Sequence, residues 1–385
     1  MVDLTEFESI SPYTDAEAAE ALSKLAEFPL LSQVSQQFFP EESPDFLKNT
    51  LKQIQTIDQF QVLVMQKFVR WVLEHTAGNF TYDGIENIGP DKKFLALSNH
   101  RDIILDPAIT QLVLHINNIP MTEIAVGDNL ITNETIEWLI RSNRMIKVVR
   151  GISARELYLS SQLLSRYIRI NITEQRSSIW LAQRQGRTKD GYDTTEQGLL
   201  KMLDMSGKAD FKTNFEELNI VPMSISYEFE PCDILKAREM VISRTQKYVK
   251  AEGEDFNSIV TGIMQPKGDI HLSIGKPLTS EEIAEAAACD KNDRYQQIRR
   301  AIDRRVIAGY KLFKNNYVAF DLLNGGSKYA HLYEQEDVQK FVGYMEHQLS
   351  KVEAELNRDE VKEVFLQIYA NPVVTKELLE LGQLD

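Results

Sequence analysis

The sequence predicts an α/β fold: a mostly parallel or mixed sheet covered by helices on both faces, with helical N- and C-terminal extensions. Three observations predict it. Between about Asn79 and Leu278, short apolar runs alternate with amphipathic segments, the strand–helix–strand order that builds a sheet with covered faces. On both sides of that stretch, apolar residues recur at three and four, which is helical spacing. The first apolar run also ends in Ser98-Asn99-His100, and the carboxyl ends of strands are where open α/β sheets gather ligands.

Taken in order, Asp15–Phe28 and Asp45–His75 read as amphipathic helices, the second with Phe60 and Trp71 on one face. Packing explains this region better than binding of an apolar chain. Strands are expected at Phe94–Leu97, Glu123–Val126, Met145–Val149, Ser178–Ala182, Ile220–Tyr227 and Asp269–Ile274. Helices are expected between them at Ala108–Ile116, Glu134–Arg141, Ala154–Ile170, Thr194–Met205 and Ile234–Lys250. Beyond Lys291 the pattern is helical again over Tyr295–Phe313, Gln335–Leu356, Asp359–Ala370 and Thr375–Leu381, with a turn at Gly325-Gly326. The resulting division is a helical region over 1–78, an α/β domain over 79–280 and a helical extension over 281–385.

The net charge of −14 argues against a general nucleic-acid binder, but the charge is uneven. Residues before Ser98 carry fifteen acids and seven bases, whereas Arg141–Gly191 carries eleven bases and three acids. A basic island in an acidic chain suits an anionic ligand such as a phosphate. The two cysteines, Cys232 and Cys289, have no CxxC spacing, which fits a reducing compartment and gives no metal pattern. The acidic opening lacks an apolar signal region and no run has the length of a membrane span, so the expected location is cytoplasmic, with a peripheral place at the inner face of a membrane as an extension of it.

Four segments could carry chemistry. The first is Phe94–Pro107. His100 lies just past a strand, and Asp106-Pro107 opens the next helical pattern. A lone histidine is more often structural, and Asp-Pro at a helix start is explained by capping. One carboxylate can nevertheless cap a helix and fix an imidazole tautomer, which suits removal of a hydroxyl proton. The second is Arg150-Gly151, a charged strand end. The third is the loop Gln185–Gly191, where Gly186 and Gly191 permit tight turns while Arg187 and Lys189 supply charge. It is not a P-loop, since GxxxxGK[ST] is absent. The fourth is Ile220–Glu228, where Pro222 inside an apolar run implies an edge, a bulge or a strand start.

In this order, the four segments resemble the blocks of the glycerolipid acyltransferases, the glycerol-3-phosphate and 1-acylglycerol-3-phosphate acyltransferase type with its His-Asp motif. Ser98–Pro107 is similar to the first block, with five residues between His100 and Asp106 where the family has four; Asp102 is the alternative partner. Val148-Val149-Arg150 resembles the second block. Arg184–Gly191 resembles the third, with Arg184 or Gln185 where the family carries an acid. Val221-Pro222 with Ser226-Tyr227-Glu228 resembles the fourth, and Gly268–Pro277 the strand that closes many family domains.

The resemblance implies an O-acyltransferase of phospholipid biosynthesis that uses acyl-CoA or acyl carrier protein as co-substrate, with no other cofactor and no metal. His100 would act as base and Asp106 would orient it. Asn99, Arg101, Arg150, Gly186, Arg187, Lys189 and Pro222 would shape the substrate site. Within it, Arg150 and Arg187, assisted by Lys189, would hold an acceptor phosphate, and amides near Gly186 the oxyanion. The expected partners are the acyl donor, a glycerolipid acceptor and a membrane surface, with no nucleic acid. Two alternatives remain: a lipid acceptor without phosphate, such as an aminoacyl lipid, and a lipid- or acyl-carrier-binding homologue without catalysis. A hydrolase is disfavoured because no Gly-x-Ser-x-Gly elbow occurs.

Overall fold

The computed structural model describes residues 5–150 and 153–384; Gly151, singled out beside Arg150, lies outside them. Among the described residues seven strands form one sheet: β1 (Ala77–Asp83), β2 (Leu95–Ser98), β3 (Glu123–Gly127), β4 (Met145–Val148), β5 (Ile179–Ala182), β6 (Ile220–Tyr227) and β7 (Gly268–Ile274). Their order is β1-β7-β6-β2-β5-β3-β4. The five strands from β6 to β4 are parallel, β7 is antiparallel to β6, and β1 lies parallel to β7. The sheet is therefore mixed.

Burial on both faces explains why the central strands read as continuous apolar runs rather than alternating ones. Leu95 and Leu97 of β2 pack on one face with Ile168, Phe215 and Ile298, while Phe94 and Ala96 pack on the other with Ile109 and Val113. Helices Leu105–Ile116 and Gln66–Thr76 cover one side, and Ala154–Thr173, Gln197–Asp204 and Asp293–Gly309 the other. Two further cores lie beside the sheet: one joins N-terminal helices through Leu22, Leu51 and Phe60, the other joins C-terminal helices through Phe341, Phe365 and Tyr369.

Several expectations need correction. β1 was not foreseen: its only apolar alternation is Phe80 and Tyr82, on a half-exposed edge strand. The single helix expected over Asp45–His75 is interrupted at Ile54–Thr56, where Thr56 caps a new helix by accepting from Gln59 N, and a π-turn follows at Gln61–Met65. Lys314–Asn324 is helical, ending at Gly325 with φ +61°. The two terminal helices are one, Arg358–Glu380, running through Pro372. Pro222 marks neither an edge, since β6 is central, nor a strand start, since it is the third residue of β6 and lies opposite Leu97 of β2. Pairing with β7 begins one residue later, at Met223 opposite Ile274, so no neighbour requires the missing N–H.

Candidate active site

Chemistry gathers where β2 leaves the sheet. His100 Nδ1 lies 2.9 Å from Asp106 Oδ2, and its ring meets Trp180 of β5 edge-on at 5.9 Å between centroids. The side chain is 15% exposed, so Nε2 is the ring nitrogen left to meet a ligand. Asp106 is not an N-cap. The helix begins at Leu105 after an uncapped Ile104, and Asp106 sits buried in the first turn. From there its carboxylate turns back to accept from Arg101 N at 2.6 Å and Asp102 N at 2.8 Å, both through Oδ2. Tyr227 Oη donates to Oδ1 at 2.8 Å. Burial, then the charges of Asp106 and Asp102, push the Tyr227 phenol well above its ordinary range, so it stays a donor.

The extra residue between His100 and Asp106 is absorbed in a turn. Asp102 Oδ1 accepts from Ile104 N at 2.9 Å and Leu105 N at 2.8 Å, an Asx-type closure that lets His100 and Asp106 meet. Asp102 thus holds the turn rather than the imidazole. Burial, then Asp106, raises its pKa, and its Oδ2 is buried without a partner.

Asn99 and Arg101 are corrected from substrate contacts to internal supports. Asn99 is buried and bridges to β6, donating to Ile225 O at 3.0 Å and accepting from Ile225 N at 2.8 Å. Arg101 is fully buried, bonded to Asp193, Glu230 and Gly191 O, with its guanidinium 4.8 Å from the Tyr310 ring centroid. Burial works against its charge, but Asp193 and Glu230 outweigh it and hold its pKa well above the usual arginine value. Lys236 completes the cluster by donating to Glu230 and to Arg101 O. Pro222 is buried in β6 level with Leu97, beneath the site rather than facing it.

The glycine loop is strapped to the histidine. Thr188 N donates to His100 O at 2.7 Å, and Thr188 Oγ1 to Asp193 at 2.9 Å. Gly186 and Gly191 take φ +73° and +82°, the left-handed conformation glycine tolerates. Lys189 is paired with Glu239. Arg187 lies within electrostatic reach of Asp102 and Cys232, with Nη1 buried and unpaired. Arg150 leaves the end of β4 with its N–H on Asp128 and its side chain lying over Gly127, whose Cβ, if present, would stand 2.9 Å from Arg150 Nε. Burial lowers the Arg150 pKa, against the pull of Asp128, Glu196 and Asp255. Gly127 and Tyr227 are the residues sequence reasoning missed as site elements. Tyr227 stood in the fourth segment without a role, and for Gly127 the unused signal was a glycine directly after the apolar run Glu123–Val126. Among the described residues no three His, Cys, Asp or Glu side chains gather as metal ligands would.

This geometry can deprotonate a hydroxyl at Nε2 while cations stand at the same sheet end. No curated protein matches the chain. Among solved structures it is similar to the 1-acyl-sn-glycerophosphate (LPA) acyltransferase PlsC from Thermotoga maritima, at 14% identity over 75% of this chain and 94% of that one, with a TM-score of 0.40. Residues 79–226 match the family model described as Acyltransferase. The matched stretch holds His100, Asp106, Arg150 and the glycine loop, so the part of the chain that carries the site is similar to the Acyltransferase family.

Proposed function

We propose that the protein moves a fatty acyl group from an acyl thioester, acyl-CoA or acyl carrier protein, to a hydroxyl of glycerol 3-phosphate or a lysophospholipid. The observation that carries this is the His100–Asp106 contact of 2.9 Å, which leaves Nε2 for a ligand, with the glycine loop strapped to His100 through Thr188. Asp106 fixes the imidazole with its proton on Nδ1, leaving the Nε2 lone pair to take the acceptor's hydroxyl proton. The freed oxygen attacks the thioester carbonyl. Amides near Gly186, and later loss of the thiolate, carry the negative charge in turn. The C–S bond breaks as the ester forms, and the imidazolium returns its proton to the leaving sulfur. No helix among the described residues is long and apolar enough to cross a membrane.

The test is acyl transfer by the purified full chain with both donors and a panel of acceptors. Activity on glycerol 3-phosphate or a lysophosphatidate is expected, and His100→Ala should reduce it by at least about a hundredfold. Strong transfer to an aminoacyl lipid alone would replace the acceptor assignment. Donor binding with no turnover would make the protein a binding homologue.

A further inference from the structure

Helix Glu254–Met264 enters the fold between β6 and β7, outside the stretch 79–226 that matches the Acyltransferase family. Both of its ends are fixed. At the start, Asp255 pairs with Lys250 and accepts from Asn129 Nδ2, in the turn after β3, at 3.2 Å. At the end, the buried Lys267 donates to Ile263 O at 3.0 Å and Gln265 O at 2.6 Å, where a helix leaves carbonyls open, and to Thr76 Oγ1 at 3.0 Å.

Between those anchors stands Gly262, buried, where alanine would be the better helix former. A Cβ on Gly262 would lie 2.1 Å from Asp102 Oδ2 and 3.1 Å from Asp102 Cγ, so the bare helix backbone rests on that carboxyl. The oxygen it meets is unlike its neighbours in the catalytic turn. Asp106 Oδ1 is held by Tyr227, Asp106 Oδ2 by His100 and two backbone N–H groups, and Asp102 Oδ1 by Ile104 N and Leu105 N. Asp102 Oδ2 is buried with no donor. Such an acceptor is unfavourable, and a rotation that found it a donor would relieve it. Arg187, within electrostatic reach of Asp102, has Nη1 buried with no acceptor and offers a destination. That rotation would give up the closure at Ile104 and Leu105, which is what lets His100 and Asp106 meet. A methyl group on Gly262 would drive it.

We propose that Gly262 is a positioning residue for acyl transfer: it seats the helix Glu254–Met264 directly on Asp102 and so holds the turn in the arrangement that joins His100 to Asp106. Its kinetic consequence rests on the acyl-transfer reading above. The seat itself rests on the contact between Gly262 and Asp102.

Proton NMR of the full chain follows the seat without turnover, through the hydrogen-bonded Nδ1–H of His100, identified by its absence in His100→Ala. Gly262→Ala should broaden or remove that signal while thermal melts show a folded protein. It should also lower kcat by roughly tenfold to a hundredfold with little change in KM, the loss expected when a catalytic group is misplaced. Asp102→Ser keeps an oxygen able to close the turn and deletes the one a methyl would strike. In that background Gly262→Ala should cost far less, so the two substitutions should not add. Gly262→Ala with the wild-type signal and kcat overturns the positioning role, as does a loss of equal size in the Asp102→Ser background. A Gly262→Ala chain that folds only when combined with Asp102→Ser supports the seat; one that folds in neither background overturns it. The expected changes in the His100 signal, in a protein that transfers no acyl group to any acceptor, would instead overturn the acyl-transfer reading and leave the seat standing.

Discussion

At the scale of single residues, the carboxylate of Asp106 controls the site, because four donors converge on it: the His100 ring, two backbone N–H groups and the Tyr227 phenol. Three of them use Oδ2, so Tyr227 alone holds Oδ1. Replacing Tyr227 with Phe leaves that oxygen buried without a donor, a loss of about 1–3 kcal/mol. The carboxylate is then free to rotate away from the ring. Tyr227→Phe should lower kcat roughly tenfold with little change in KM, and should move the limb of the pH–rate profile that reports the base. Steady-state kinetics across pH reads both, and an unchanged profile would make Tyr227 a packing residue. The His100–Asp106 pair was legible in sequence because both lie on one short connection. Asn99 and Arg101 were misread for the opposite reason. Their partners Asp193 and Glu230 are 92 to 129 positions away, and neighbouring residues carry no sign of such burial.

At the scale of elements, the glycine loop is held by the C-terminal helix Arg358–Glu380. Pro372 has no N–H to give to Ile368, so that carbonyl is not closed within the helix. Gly191 packs against it so closely that a Cβ would stand 2.5 Å from Ile368 O. One residue earlier, Asn371 Nδ2 donates to Asp190 O at 2.6 Å. The two helices expected at Asp359–Ala370 and Thr375–Leu381 leave Pro372 in the gap between them. Local propensity favours a break there, whereas packing on the neighbouring helices and on the loop accompanies a helix continuous through Pro372. Gly191→Ala meets both the positive φ and the carbonyl, and should destabilise the protein by about 1–3 kcal/mol. Asn371→Ala removes only the hydrogen bond, so it should cost about 1 kcal/mol in urea unfolding while raising the KM of the anionic substrate. Equal KM values for Asn371→Ala and wild type would separate the helix from the site. Strand and helix alternation through the middle of the chain was readable from apolar runs because both sheet faces are covered. β1 was not, because an edge strand needs only one apolar face.

At the scale of the whole molecule, two buried carboxyls join the C-terminal helices to the sheet unit. Asp303 accepts from Thr195 N at 2.8 Å and from Thr195 Oγ1 at 2.6 Å. Asp233 accepts from Tyr344 Oη at 2.8 Å and Tyr369 Oη at 2.6 Å. Burial pushes both up to about 6, against those hydrogen bonds and, for Asp303, the pull of Arg299. A carboxyl raised on folding binds its proton more tightly in the native state than in the unfolded chain. Its contribution to stability is therefore fully present below the ordinary value of 3.8 and is lost as pH rises through about 6. Asp303→Asn keeps an oxygen for Thr195 but cannot titrate. The stability of wild type relative to Asp303→Asn should thus decline between pH 4 and 7 by up to about 3 kcal/mol, the free energy of a two-unit shift. Urea unfolding of both proteins at a series of pH values measures the difference directly. A difference that stays flat across this range would mean that Asp303 is ionised in the folded protein and that the attachment of the C-terminal helices does not weaken toward neutral pH.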